Sequence, residues 1–476
     1  MNSKIKNFIK NVIRMFVANG LSFLISAIIT FIVPKILNVE NYSYIQLYIF
    51  YTSYISYLHY GWVDGIRLRY GGIYYEKIDK SLFNSQILMY SVLQILVSLI
   101  ALIVIINIGF TGNKLIAMIA VTFCMLTRLP RIMPQYILEM SNRIKECANI
   151  TIIEKVTYFL LTIAVIITKH ASIVSLLACD LVAQVISGLY AFICCKDILK
   201  AKPVALNTAL IEVKENVSAG IKLTIANISS LLIIGIVRQF IEFQWDISTF
   251  GKLSLTISIS NLLMVFIRAV AMVMFPTLRR IPKEKLTDIY VKMRTAIMVP
   301  LLLMLVFYYP LKVVISSWLP QYSDSLKYMA ILFPMCIFES KMSMLIETYL
   351  KTLRLETLLL KINIGTVLLS LIITFINTCV LHNLNLSVLS IVILLAFRSI
   401  VAEKVLSHKI DIKVNFNIFL ELFLVIVFIL SSWFIGGIRG LLTYSIFFIV
   451  YILLIRKDIS SLINYFLKGW KKNEKN

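Results

Sequence analysis

The sequence predicts an all-α integral membrane protein that crosses the bilayer many times. Three observations predict it. Of 476 residues, 59% are apolar and 15% charged, against roughly 45–50% and about 25% in soluble chains. Mean hydropathy is +0.88. The apolar residues gather into runs close to the about 20 residues a helix needs to cross the hydrocarbon core. A secreted disulfide scaffold, a disordered chain and a cytosolic enzyme are thereby excluded. The net charge of +23 does not indicate nucleic acid, because the basic residues sit in short loops and no basic domain could grip a duplex. The seven cysteines (Cys124, Cys147, Cys179, Cys194, Cys195, Cys336, Cys379) are scattered. Without metal-ligand spacing, no metal and no cofactor is expected.

Fourteen spans follow in order, at about 15–33, 44–63, 82–106, 115–138, 150–168, 172–195, 218–241, 252–275, 293–311, 327–350, 358–378, 386–406, 416–435 and 438–455. Lys4, Lys6, Lys10 and Arg14 precede the first span. Its apolar run is too long for a signal peptide and no small-residue cleavage site follows, so it is expected to remain as an anchor. With the N-terminus placed in the cytoplasm, only Lys35, Lys114, Lys169, Lys252, Lys312, Lys327 and Arg439 fall in outer loops. The other loops hold most of the 47 Lys and Arg residues. This bias predicts cytoplasmic termini, including the tail with Lys468, Lys471, Lys472 and Lys475.

The chain resembles itself at an offset of 208 positions. Ile13, Ala18, Asn19, Ser22, Leu24, Ile25 and Ile28 match Ile221, Ala226, Asn227, Ser230, Leu232, Ile233 and Ile236. The loop Asn38–Ser43 falls on Asp246–Gly251, Arg14 on Lys222, Glu139 on Glu347 and Arg143 on Lys351. The expected organisation is therefore a six-helix lobe at 1–200, a second at 201–410, and two appended helices with a basic tail at 411–476. Because six is even, the lobes share one topology, the usual scaffold for alternating access with substrate between the halves.

Charges inside spans are costly, about 2.5–3.5 kcal/mol each on insertion scales, and must face partners or a wet cavity. The cations Arg128, Arg131, Lys222, Arg238, Arg268, Lys341 and Arg398 lie within spans, with Arg14 at the mouth of the first. The carboxylates Asp180 and Glu339 lie within spans, and Glu139 and Glu347 near inner ends. This positive excess predicts a cavity for an anion, since guanidinium forks suit phosphate oxygens. Arg14, Arg128, Arg131, Lys222, Arg238, Arg268 and Arg398 are the candidate substrate contacts, and snorkelling or buried pairing is the alternative for each. Asp180 and Glu339 are the weaker candidates for ion coupling. Pro130 and Pro134 in the fourth span and Pro334 in the tenth are expected to kink repeat-related helices. The tyrosines Tyr44, Tyr48, Tyr51, Tyr54, Tyr57 and Tyr60 could stack on sugar rings, with an interfacial belt or packing as the alternative.

These features resemble the polysaccharide flippases of the multidrug/oligosaccharidyl-lipid/polysaccharide (MOP) exporter superfamily, the O-antigen or capsule repeat-unit transporters. The residues that carry the resemblance are Asn19-Gly20, Pro34 and Asn38–Tyr42, then Tyr60–Gly72, then Trp245, Phe250-Gly251 and Phe275–Arg280. Their order and the 6+6+2 organisation are more specific than any one of them. The resemblance implies an undecaprenyl-diphosphate-linked oligosaccharide moved to the outer leaflet of a bacterial plasma membrane. It also implies a cationic cavity between V-shaped lobes, a lipid groove beside the appended helices, and partnership with polysaccharide polymerase and chain-length proteins. Where the family suggests an Asp-Arg pair late in the seventh span, this chain has Val237-Arg238.

The alternatives are a multidrug cation antiporter of the same superfamily, another lipid-linked precursor flippase, and a major-facilitator carrier, whose inner loop Gly61–Arg67 loosely resembles. The positive internal balance and the two extra spans disfavour the antiporter. An enzyme is not expected. The outer loops are short, and His59, His170, His382 and His408 form no constellation.

Overall fold

The computed structural model describes residues 3–278, 283–412 and 414–463, with side chains described outside 3–18, 263, 265–278 and 283–285. The side chains of Arg14 and Arg268 and the lysines of the tail lie outside the described residues.

The described residues form helices and no strand. In order these are α1 (Ser3–Ile36), α2 (Val39–Ile55), α3 (Trp62–Tyr70), α4 (Lys80–Ile108), α5 (Gly112–Met140), α6 (Ile144–Ile167), α7 (Ile173–Cys194), α8 (Lys196–Leu199), α9 (Leu206–Gln244), α10 (Ile247–Leu278), α11 (Lys283–Met304) and α12 (Tyr308–Trp318). They continue with α13 (Met329–Leu332), α14 (Met335–Ser340), α15 (Glu347–Thr352), α16 (Glu356–Phe375), α17 (Leu384–Lys409), α18 (Asn415–Leu430) and α19 (Gly437–Leu454). Among the described residues, eleven helices are long and apolar enough to cross a membrane. A twelfth is added if Pro320–Leu332 and Met335–Thr352, bent by 44°, make one span. The second expected span ends early: α2 has 17 residues and stops at Ile55, where a turn leads into the polar helix α3.

The 208-residue repeat recurs in the helix starts. Val39 and Ile247 open α2 and α10, and Gly112 and Pro320 open the segments that follow at the same offset. The caps recur too. The Asn38 side chain accepts from the Asn41 amide at 2.8 Å, and the Asp246 side chain accepts from the Thr249 amide at 3.2 Å. A short polar side chain at that position satisfies an otherwise orphaned amide of the first turn.

The chain divides into two compact units, residues 1–228 and 229–476, with the boundary inside α9. In the first unit α5 is the central helix. It packs on α2, α3, α4, α6 and α7, and 61% of its most apolar window is buried, against 17% in α4 and 11% in α6. Helix α4 instead turns Leu88, Val92, Leu96, Leu99 and Ile103 outward, the surface expected against lipid, where an apolar side chain costs nothing. Pro130 and Pro134 lie inside α5, which stays helical through both. In the second unit the repeat-equivalent segment from Met329 to Thr352 is almost wholly buried. It departs from regular helix at Pro334 and again in the π-helical turn Lys341–Ile346. Such turns insert one residue into the helical ladder and often accompany functional groups.

Candidate functional site

The first unit gathers its intramembrane charges on α5, α6 and α7. Asp180, on α7, accepts from the Tyr48 hydroxyl at 2.5 Å and from Gln184 Nε2 at 2.6 Å, both through Oδ2. Gln184 in turn accepts from the Cys124 thiol at 3.3 Å. Two turns along α5 from Cys124, Arg131 is buried, pairs with Glu154 at 2.6 Å and donates to the Ser187 hydroxyl. Lys155 approaches the other oxygen of Glu154 at 3.6 Å. Between these groups lies Arg128. It is half-buried, sits in the field of Glu154, Asp180, Cys124 and Tyr48, and makes no hydrogen bond or ion pair among the described residues. The three cations Arg128, Arg131 and Lys155 outnumber the two carboxylates, so the cluster carries an excess positive charge with one guanidinium left open.

The second unit holds two groups. Arg398, 1% exposed, donates to Asn363 Oδ1 at 2.9 Å, to Glu339 at 3.2 Å and to Glu347 at 3.1 Å. The two glutamates flank the π-helical turn, so one guanidinium ties both ends of that irregular stretch to α17. Nearby, Arg294 of α11 pairs with Glu403 and with Glu421, each at 2.7 Å. Lys341 pairs with Glu421 at 2.8 Å and also with Glu403. Tyr290 donates to Glu403 at 3.0 Å. All four charged side chains are buried, and Glu421 brings the appended helix α18 into the network. Arg238 donates to the Ser254 hydroxyl at 2.9 Å and lies 5.4 Å from the Phe250 ring centroid. Lys222 is exposed.

Of the seven residues predicted to contact substrate, Arg131 and Arg398 are thus neutralised inside their own units, and Glu339 is committed to Arg398. Lys341 pairs with Glu403 and Glu421. The sequence count of internal charge missed Glu154, Arg294, Glu403 and Glu421. Glu154, Arg294 and Glu403 lie inside the expected spans 150–168, 293–311 and 386–406 but went uncounted there, and Glu421 lies in the strongly apolar run 416–435. The available signal was their number: buried cations require buried anions. Tyr48, a candidate for sugar stacking, is buried at 4% exposure and spent on Asp180. Among the described residues no group of three or more His, Cys, Asp or Glu could hold a metal.

At the expected cytoplasmic ends, outside the spans, Asp197 accepts from Tyr75 at 2.6 Å and pairs with Lys80 at 2.9 Å. Partial burial pushes this carboxyl up, but those two partners outweigh it and hold it below the usual aspartate value.

No family model matches the chain, and no curated protein matches it by sequence. Solved structures do match by fold. The lipid II flippase MurJ in an inward closed conformation superposes with a TM-score of 0.67 over 95% of this chain and 100% of its own, at 12% identity. An inward-facing multidrug resistance MATE family transporter of the MOP superfamily gives 0.60 over 83% and 94%, at 13% identity. A MOP superfamily transporter from Pyrococcus furiosus, described as having a binding pocket of reverse polarity that suggests a different function, gives 0.52 over 84% and 96%, at 12% identity. At such identities the likeness establishes the fold: this chain is built as MATE and MurJ transporters are built.

Proposed function

We propose that this chain is a flippase that moves undecaprenyl-diphosphate-linked oligosaccharide repeat units from the cytoplasmic to the outer leaflet by alternating access, for surface polysaccharide synthesis. In this reading it has fourteen spans, arranged as lobes 1–200 and 201–410 with appended helices at 411–476. It resides in a bacterial plasma membrane with both termini cytoplasmic, beside a polymerase and chain-length proteins.

The observation that carries the proposal is Arg128. A guanidinium within a span costs a few kcal/mol unless something neutralises it. Arg131, Arg294 and Arg398 have carboxylate partners in their own units. Arg128 keeps its donors open beside an Asp180 whose Oδ2 is already doubly bonded. A diphosphate is a ligand such a fork suits, because charge-assisted bonds to phosphate are about twice as strong as neutral ones. Substrate contact is therefore assigned first to Arg128, with Arg14, Lys222, Arg238 and Arg268 extending the path. Arg131 and Arg398 are left to their ion pairs, and Asp180 is proposed as the coupling carboxylate. The MurJ likeness covers more of this chain than the MATE likenesses do, which supports a lipid-linked substrate.

The test is Arg128→Ala. Surface polysaccharide is expected to disappear while the protein stays in the membrane at its normal level, with lipid-linked oligosaccharide accumulating on the inner leaflet. Normal export by that variant refutes the assignment. A second reading, a multidrug or cation antiporter, is favoured by Asp180 lying against Tyr48 and by the MATE likenesses. It predicts instead that deletion leaves polysaccharide intact and lowers resistance to cationic compounds.

A further inference from the structure

The passage Tyr60–Gly72 is absorbed by none of the charges assigned so far, yet it makes the tightest backbone packing in the first unit. Gly61 has φ +81°, a conformation that favours glycine, and a Cβ placed there would lie 2.5 Å from the Ile221 amide nitrogen. A Cβ on Gly65 would fall 1.7 Å from the Asn216 carbonyl oxygen, and one on Gly220 2.0 Å from that of Gly61. Three glycines thus let α3 and the first half of α9 touch backbone to backbone.

Polar bonds fasten both ends of this crossing. Asp64, buried at 4% exposure, accepts from Thr224 at 2.7 Å, with His59 Nε2 3.7 Å away. At the far end of α3, Arg69 donates to Glu212 and to Glu215, both at 2.5 Å, and to the Asn216 side chain at 2.6 Å. Tyr70 adds a bond to Glu212 at 2.8 Å. Trp62 and Gln86 continue the seam, since the indole donates to Gln86 at 2.8 Å and Gln86 donates to the Ala209 carbonyl at 3.2 Å.

We propose that Tyr60–Gly72 is a latch that holds residues 206–228 of α9 on the rest of the first unit and must let go in each transport cycle. The form of the joint supports release rather than permanent cementing. Trp62, Val63 and Ile66 are buried at the near end of α3, so release is expected to start from the far end, where the bonds are accessible. Its strongest bonds come from one arginine at 27% side-chain exposure to carboxylates at 12% and 55%. Such pairs are worth far less than buried ones, so the Arg69 end of the joint can open without a large penalty. The passage begins at two positive-φ residues, Tyr60 and Gly61, where the chain can swing without unwinding α2 or α3.

The need for release rests on the transport reading, but the existence of the latch does not, and the test separates them. In the purified full-length chain, Thr224→Cys places a thiol beneath the joint. Its labelling by a hydrophilic maleimide, above that of the seven native thiols, is expected to be slow. Arg69→Glu, which sets like charges against Glu212 and Glu215, is expected to raise the rate at least ten-fold. Adding Glu212→Arg and Glu215→Arg is expected to restore protection. Arg69→Gln, which only removes the bonds, is expected to raise the rate about three-fold. Unchanged rates in both Arg69 variants overturn the latch. In a second arm, Arg69→Cys with Glu212→Cys is bridged by a cleavable bismaleimide, and flipping of a fluorescent undecaprenyl-diphosphate monosaccharide is followed in vesicles. Flipping is expected to stop when bridged and resume on cleavage. Undiminished flipping while bridged overturns the required release. No flipping by the unbridged protein, with the labelling pattern intact, counts against the transport reading instead.

Discussion

Replacing Lys341 by Met tests whether the buried charges of the second unit act as one balanced group. The structure sets the arithmetic. Arg294 and Lys341 face Glu403 and Glu421, two charges of each sign, every side chain at 3% exposure or less apart from a 4% value for Glu421. Lys341→Met keeps the volume and the apolar stem but leaves two carboxylates sharing Arg294. Removing one member of a buried pair strands an uncompensated charge and costs about 3–5 kcal/mol. At about 1.4 kcal/mol per factor of ten, the ratio of folded to unfolded chain at a fixed denaturing SDS mole fraction should fall by roughly two to three and a half orders of magnitude. Adding Glu421→Gln leaves Arg294 with Glu403, which already pair at 2.7 Å, so most of the loss should return. The assay is reversible unfolding in mixed micelles for the parent, both single variants and the double variant. Losses that simply add in the double variant would show that the four groups are not coupled, and a Lys341→Met chain as stable as the parent would refute the charge balance altogether.

The remaining predictions concern the first unit. Asp180→Asn should leave the protein folded but abolish the dependence of transport on an ion gradient; gradient-dependent transport by this variant would count against coupling. Glu154→Gln should free Arg131 inside the span and destabilise the chain by about 3 kcal/mol, whereas Arg128→Gln, which removes an unpaired charge, should leave the unfolding midpoint in micelles unchanged or raised. The Asp197 carboxyl is held below its usual value, so its contribution is present above the unfolded aspartate value of about 3.9 and is lost as pH falls further. Acidifying below pH 4 should therefore lower the thermal midpoint less in Asp197→Asn than in the parent.

Much of the fold was legible because hydropathy and the 208-residue offset are long-range signals that single substitutions do not erase. The matched caps Asn38 and Asp246 show why the repeat could be placed without a gap: a helix start needs a short polar acceptor, and both copies kept one. The second span ends at Ile55 rather than at 63 for a local reason. Its tyrosines read as apolar, yet the chain turns at Ser56 and spends its next residues on a backbone crossing with α9. Hydropathy carries no information about such a crossing. The glycines that permit it, Gly61, Gly65 and Gly220, acquire meaning only when the two helices are seen together. The site was legible in part. Which cations stay unpaired depends on carboxylates of other helices, as Glu154 of α6 neutralises Arg131 of α5, and spacing along the sequence does not pair them.

The 208-residue offset sets Arg128 apart from the paired charges. Arg131 in the first repeat falls on Glu339 in the second, and each anchors an ion pair of opposite sense: Arg131 to Glu154, Glu339 to Arg398. At this position both copies keep a charge with a partner of opposite sign, although the sign itself has changed. Arg128 has no such counterpart, because its repeat-equivalent is Cys336, buried and bonded to the Ser260 carbonyl. Asp180 and Tyr48 fall on Val388 and Thr256, which also carry no charge. A feature needed only for packing would be expected in both copies or neither. An open guanidinium with a restrained carboxylate in one copy alone is the arrangement the proposed reading expects, in which Arg128 is the first contact for the charged head.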